Sequence, residues 1–469
     1  MKSLVIVIIF LNALAKTSSL QKKEISLNQR SCHSENVDVS PYLSTRTPYR
    51  VIHEQNKAKI IRHHLPDQCV AQQIWMLVRH GTRNPSASVI KNSLKSLSLL
   101  REKIVVAHQN GKGLLCATEV NRLQNWAMNI TEIDEKLLVP EGERELKNLG
   151  SRTLTKYFGL LNYDSDDLEN SEINLKFRYT DTERTYNSAK HFAIGLLDSN
   201  DTSQVQFTKS PLKHDPLLRF YQSCLKWKTE VKGNPDGGKH QSVAFKNGTE
   251  YEVLKATLTS RLGLQDYNLS TLDVDMMYNT CTFEWSWSDD PSPWCAAFSE
   301  EDLQVLEYSS DLKYYWTDGY GYELNYKQAC PLVQDMLEHF KNASRATPQP
   351  KGVFYFTHSG TMLKVLAHLG LYRDKEPLWH HNFDHHKSSR LWRVGRIDSF
   401  AANLAAVLYS CDSTPKVMFL HQERPVAING CPSEEPFLCP LETLEKLFPY
   451  CNFEQICQLP ERTGAKIEL

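Results

Sequence analysis

The chain has 469 residues, with 54 Lys and Arg against 55 Asp and Glu, a net charge of −1 when histidines are neutral. That balance leaves no whole-chain basic field for nucleic acid, so any anion has to be held by locally gathered cations. The length suffices for one large domain or two moderate ones, and 41% hydrophobic with 23% charged residues is ordinary for a globular protein.

The first predicted element is a targeting segment. Lys2, the apolar run Leu4 to Leu11 and Ala13-Leu14-Ala15 follow the order of a secretory signal peptide, assigned to residues 1–15. The run is too short to span a bilayer, and no later stretch reads as a transmembrane helix, so no integral membrane segment is expected. The polar C-terminus excludes a glycolipid-anchor signal.

Ile74-Trp75-Met76-Leu77-Val78 reads as a buried strand and stops at Arg79-His80-Gly81-Thr82-Arg83-Asn84-Pro85. A neutral imidazole nitrogen attacks phosphorus, and arginine forks match phosphate oxygens in bidentate geometry. Gly81 allows close backbone approach to an anion, and Pro85 stiffens the exit of the turn. His80 is expected at a solvent-facing strand end. A second strand, Asn174 to Tyr179, precedes Thr180-Asp181-Thr182-Glu183-Arg184. Ala189, Phe192, Ala193, Leu196 and Leu197 then recur at helical spacing, with Asp181 or Thr182 suited to the N-cap. Arg184 falls in the first turn, where free N–H groups and the helix dipole also favour phosphate.

A third strand, Val353 to Thr357, ends at His358-Ser359-Gly360-Thr361 and leads into an amphipathic stretch with Met362, Leu363, Leu366 and Leu369. Each of these strand–loop–helix units delivers a cationic or imidazole group to the C-terminal end of a strand. In α/β sheets that edge is where ligands bind. If the strands are neighbours, Arg79, His80, Arg83, Arg184 and His358 surround one phosphate. A fourth run, Val417 to Leu420, precedes His421-Gln422-Glu423, in which Glu423 is read as a structural residue.

Twelve cysteines form an even set suited to an oxidising lumen. They include no paired C-x-x-C, so no zinc or other metal site is assigned. Cys281 with Cys295 and Cys451 with Cys457 are candidate local bridges. Glycan acceptor sequons occur at Asn129, Asn200, Asn247, Asn268 and Asn342. The chain ends Lys-Ile-Glu-Leu, a variant of the endoplasmic-reticulum retrieval signal. Localisation in the secretory pathway is expected, in that lumen or secreted.

The pattern Arg79-His80-Gly81-x-Arg83-x-Pro85 resembles the signature of the histidine phosphatase superfamily, in its acid phosphatase and phytase branch. Within it, Met277-Tyr278, Phe283-Glu284, Ser292-Pro293-Trp294-Cys295, Tyr315-Trp316 and Gly319-Tyr320-Gly321 look like the multiple inositol-polyphosphate phosphatases. The resemblance implies an α/β fold: a mixed, mostly parallel sheet flanked by helices, with an inserted, mainly helical cap. The core would comprise 40–204 and 311–460, and the cap 205–310. It further implies that His80 forms a phosphohistidine while Arg79, Arg83, Arg184 and His358 hold the phosphoryl group. No cofactor is implied, because arginines supply the charge that a metal supplies elsewhere. Lys91 and Lys95 are candidate contacts for further phosphates. The implied partner is a phosphorylated small molecule: inositol hexakisphosphate, with 2,3-bisphosphoglycerate as a further candidate.

The chain departs from that family at one place. Relatives follow the second histidine with Ala-Glu or with Asp, a carboxylic acid that protonates the leaving alkoxide. Here Ser359 and Gly360 stand there, which puts on the order of 10²–10⁴ in rate at risk. The alternatives are therefore a broad acid phosphatase, or a pseudoenzyme that binds inositol phosphates without turnover.

Overall fold

The computed structural model describes residues 32–33, 37–57, 68–162, 174–211, 215–288, 290, 292–345 and 350–458. The expected signal peptide and the terminal Lys-Ile-Glu-Leu lie outside them. The strands are β1 (Cys69–Arg79), β2 (Leu175–Tyr179), β3 (Phe207–Lys209), β4 (Gly352–Thr357), β5 (Asn403–Cys411), β6 (Thr414–His421), β7 (Arg424–Val426) and β8 (Cys439–Pro440). They form one eight-stranded sheet in the order β3-β2-β4-β1-β5-β6-β7, with β8 paired to β6. β3, β2, β4 and β1 run parallel, and β5, β6 and β7 continue antiparallel. The fold is thus α/β with a mixed sheet and a parallel core.

Successive side chains of a strand point to opposite faces, and here both faces are covered. Trp75, Leu77, Val353, Tyr355, Leu404 and Ala406 face one apolar cluster. Ile74, Met76, Val78, Phe354, Phe356 and Ala405 face the other. β1 is longer than its apolar run because Cys69 to Gln73 pair with β5, and the Cys69–Cys411 disulfide joins partners in that register.

The helices used below are α1 (Tyr49–Lys57), α2 (Ala87–Gln109), α3 (Pro140–Lys156), α4 (Glu183–Leu196), α5 (Thr249–Arg261), α6 (Thr271–Trp287), α7 (Glu300–Asp318), α8 (Cys330–Ser344) and α9 (Ser359–His368). α3 and α4 pack on one sheet face through Leu146, Leu149, Ala189 and Phe192. The segment 205–310 opens on β3, which belongs to the sheet, and is otherwise mainly helical. Leu254 of α5 and Met277 of α6 lie in the same continuous cluster as Trp75.

All twelve cysteines are paired. Cys281 joins Cys295 across a short connection from α6. Cys451 and Cys457 do not join each other, contrary to the pairing read from their spacing. Cys451 reaches Cys330 at the start of α8, and Cys457 reaches Cys224 beside Trp227 and Val231. Sequence proximity loses to tertiary packing here, because the C-terminal segment lies across two separate elements. The remaining bridges are Cys32–Cys116 and Cys431–Cys439. Among the described residues, no helix is long and apolar enough to cross a membrane. Six disulfides indicate an extracytoplasmic or secretory compartment. Asn129, Asn200, Asn247 and Asn268 are exposed, whereas Asn342 is half-buried on α8.

Candidate active site

β4 lies between β1 and β2, with Arg79 opposite Thr357 and Tyr179 opposite Phe356. The three strand ends are therefore adjacent, and the loops leaving them meet at one edge. His80 follows β1, and its backbone N–H donates to the Thr357 carbonyl at 3.0 Å. Thr182 is the N-cap of α4, which puts Arg184 in its first turn. His358 is the N-cap of α9.

The imidazole of His80 is only 3% exposed, so it sits inside the pocket wall and not at an open strand end. Its Nδ1 lies 2.9 Å from the Gly81 carbonyl, which can only accept, so Nδ1 carries the proton. Nε2 is left with the ring's lone pair. Burial, and then Arg184, Arg79 and Arg83, hold the His80 pKa well below its ordinary value. The ring is neutral in mild acid, which is the state a nucleophile needs.

His358 is neutral for the same reasons, burial first and then Arg184 and Arg219. Arg184 Nη2 lies 3.3 Å from Nδ1, which therefore accepts. Nε2–H then donates to Thr180 Oγ1 at 2.9 Å. The His80 and His358 rings meet edge to face with centroids 5.6 Å apart.

Three guanidinium groups crowd these rings. Arg79 Nη1 donates to the carbonyls of Thr45 at 2.7 Å and Asp398 at 2.6 Å, and its plane lies over Phe400. Arg83 lies over Phe283 of α6, whose Trp287 indole donates to the Arg83 carbonyl. Burial and the neighbouring cations push the Arg83 pKa down to about 9. Burial and then Arg219 push that of Arg184 down to about 10. Nε of Arg79, Arg83 and Arg184 is buried with no hydrogen-bond partner among the described residues. Buried unpaired donors next to like charges favour an incoming oxyanion.

The loop is held from below. Glu145 of α3 accepts from the Thr82 backbone N–H at 2.8 Å, from Thr82 Oγ1 and from the Tyr49 backbone N–H. A Cβ on Gly81 would lie 2.7 Å from the Gly142 carbonyl, so only glycine permits this approach of loop to helix. Sequence reasoning misses Glu145, although an acid on the apolar face of a helix, beside Leu146 and Leu149, is a visible signal. Arg219, Arg46 and Asp398 also border the site and carry no sequence signal.

Other candidates lie elsewhere. Lys91 and Lys95 are exposed on α2, and no hydrogen bond or ion pair among the described residues joins either to the five groups. Glu423 sits in the two-residue turn between β6 and β7, its carboxylate held by Arg152 at 2.8 and 2.9 Å and by the Tyr49 hydroxyl at 2.8 Å. Burial alone would raise its pKa, but hydrogen bonds from His53, Arg152 and Tyr49 hold it at about 2. Its carboxylate stays ionised and engaged in structure.

A sequence profile of the histidine phosphatase superfamily (branch 2) matches residues 72–422. The chain is 33% identical over 399 residues to multiple inositol polyphosphate phosphatase 1 of Drosophila melanogaster, spanning 83% of this chain and 81% of that one. It is 29% identical over 401 residues to the human protein of the same name, spanning 81% and 80%. Among solved structures, the phytase from D. castellii superposes with a TM-score of 0.72 at 19% identity, over 90% of this chain and 88% of that one. The Bifidobacterium longum multiple inositol polyphosphate phosphatase, in complex with inositol hexasulfate, gives 0.63 at 15% identity, over 86% and 96%.

Proposed function

The chain belongs to the histidine phosphatase superfamily, branch 2, and from that premise we propose that it hydrolyses phosphomonoesters of inositol polyphosphates through a phosphohistidine on His80. The observation that carries this reading is the meeting of Arg79, His80, Arg83, Arg184 and His358 around a neutral imidazole. His80 Nε2 attacks phosphorus, and the arginines bind the phosphoryl oxygens in the ground state and more tightly as charge develops. His358, held by Arg184 and Thr180, faces the same group, and its Nε2–H turns from Thr180 to a phosphoryl oxygen when substrate is bound.

Support for a polyphosphorylated substrate comes from the names of the relatives and from a neighbouring cavity. That cavity, about 190 Å³, is lined by Arg46, Lys246 and Lys313. Arg46 is close enough to Arg83 to lower its proton affinity. Lys246 is paired with Asp275 at 2.6 Å, so Arg46 and Lys313 carry most of the cavity's positive charge. 2,3-bisphosphoglycerate fits the same chemistry as a smaller polyanion. The compartment is the endoplasmic-reticulum lumen or the exterior.

The replacement of the donor by Ser359-Gly360 favours a second reading, a binder without turnover. Phosphate release from inositol hexakisphosphate by the secreted, disulfide-bonded protein, run beside calorimetric binding, decides between the two. Release that disappears in His80→Ala supports the enzyme. Binding without release in the unaltered protein overturns it.

A further inference from the structure

Expelling an alkoxide needs a proton, and Glu423, Asp318 and Asp398 are the carboxylic acids weighed as its source. Glu423 is engaged by Arg152 and Tyr49. Asp318, at the end of α7, lies next to Gly360, where a Cβ would be 3.2 Å from its Oδ1. Both of its oxygens are committed, Oδ1 to the fully buried Lys364 ammonium and Oδ2 to Thr317 Oγ1 at 2.5 Å.

Asp398 is different. It follows the turn Val394–Ile397, which Asp311 of α7 anchors by accepting the Val394 N–H at 2.9 Å. Its side chain is fully buried, and Arg79 holds its carbonyl. Ser359 Oγ donates to Oδ2 of the ionised carboxylate, and the same contact reverses when Oδ2 carries a proton; Oδ2 lies 3.7 Å from Arg79 Nη1, while Oδ1 has no partner among the described residues. Ser359 is the residue next to His358, is only partly buried, and opens α9 at the edge of the pocket. Gly360 places no side chain beside it.

We propose that Ser359 and Asp398 replace the missing acid, with Ser359 Oγ giving its proton to the leaving oxygen and taking one from Asp398. This rests on the reading of His80 as the nucleophile. As the His80 Nε2–phosphorus bond forms, the bond from phosphorus to the ester oxygen breaks. That oxygen takes the Ser359 proton, Ser359 takes the Asp398 proton, and Asp398 is left as a carboxylate facing Arg79. Water then attacks phosphorus, its proton returns through Ser359 to Asp398, and His80 recovers its lone pair. Ser359 is the catalytic residue in this scheme and Asp398 acts through it.

The protonation state agrees with the geometry. Burial, opposed by Arg79 and the Ser359 hydrogen bond and aided by Asp318, pushes the Asp398 pKa up to about 7. Arg79 from β1, Ser359 from α9 and Asp318 from α7 are the charged or proton-exchanging groups that face it. Asp398 therefore carries its proton in mild acid and loses it as pH rises through about 7.

The test is a leaving-group series, from p-nitrophenyl phosphate to inositol and simple alkyl phosphates, on the full secreted protein. Ser359→Ala and Asp398→Asn should each lower alkyl-phosphate turnover on the order of 10²-fold and lower aryl-phosphate turnover far less. The alkaline limb of kcat on alkyl phosphate, near pH 7 in the unaltered protein, should vanish in Asp398→Asn. A merely structural role would lower both substrate classes alike and keep the limb. Equal losses on both classes would overturn the proposal, as would a steepened series in Asp318→Asn with Ser359→Ala unaffected. If Asp398→Asn fails to fold, the leaving-group series of Ser359→Ala decides by itself. Turnover surviving in His80→Ala would instead refute the nucleophile, a separate result.

Discussion

His80 and His358 meet edge to face across adjacent parallel strands, ring centroids 5.6 Å apart and planes inclined by 63°. Each ring is neutral and each has one nitrogen fixed, His80 Nδ1 by the Gly81 carbonyl and His358 Nδ1 by Arg184. The two nitrogens have opposite roles. The His80 bond leaves a lone pair on Nε2, and the His358 bonds leave a proton on Nε2.

Replacing His80 by alanine should lower phosphate release by on the order of 10³ or more, because the covalent intermediate is carried on its imidazole. Since the residue is buried, the variant must also be shown folded, by its circular dichroism and by retained calorimetric binding of inositol hexakisphosphate. Phosphate release at the unaltered rate would remove His80 from the chemistry.

Arg184→Ala removes a donor that meets the phosphoryl group in both ground and transition states. It should raise KM and lower kcat together, with kcat/KM down about 10²-fold. Unchanged steady-state kinetics would mean that the first turn of α4 does not face the substrate.

Glu423→Gln tests the structural reading of the β6–β7 turn. The Glu423 pKa is about 2 against an ordinary value of 4.5, so its stabilising effect is full above 4.5 and is lost as pH falls toward 2. The variant should be less stable at neutral pH by about 3 kcal/mol, at about 1.4 kcal/mol per unit. The gap in urea midpoints should close as pH is lowered through that window. The leaving-group dependence of turnover should not change.

Non-reducing peptide mapping should recover Cys224 linked to Cys457 and Cys330 linked to Cys451. A Cys451–Cys457 peptide would contradict the docking of the C-terminal segment. Removing the Cys69–Cys411 bridge should destabilise the chain by about 2–5 kcal/mol, since it closes a very long loop between β1 and β5.

Local patterns in the sequence were enough for the strand ends, the seven-residue loop after β1, Arg184 in a first helical turn and His358 at a helix start. These are local properties: apolar runs, helical periodicity and capping residues act over a few positions. The sequence also shows Ser359-Gly360 after His358, where the family resemblance implies a carboxylic acid. That β4 lies between β1 and β2, gathering the five groups, emerges only from how the strands pack in three dimensions. Cys281–Cys295 was legible as a local bridge, whereas the long-range cysteine partners, the support of Thr82 by Glu145 and the reach of Asp398 to Ser359 were not, since each joins residues far apart in the chain. Such contacts depend on which helices cover which sheet face. A buried aspartate held up by desolvation leaves no periodicity to read, because its effect arises from the water its neighbours exclude.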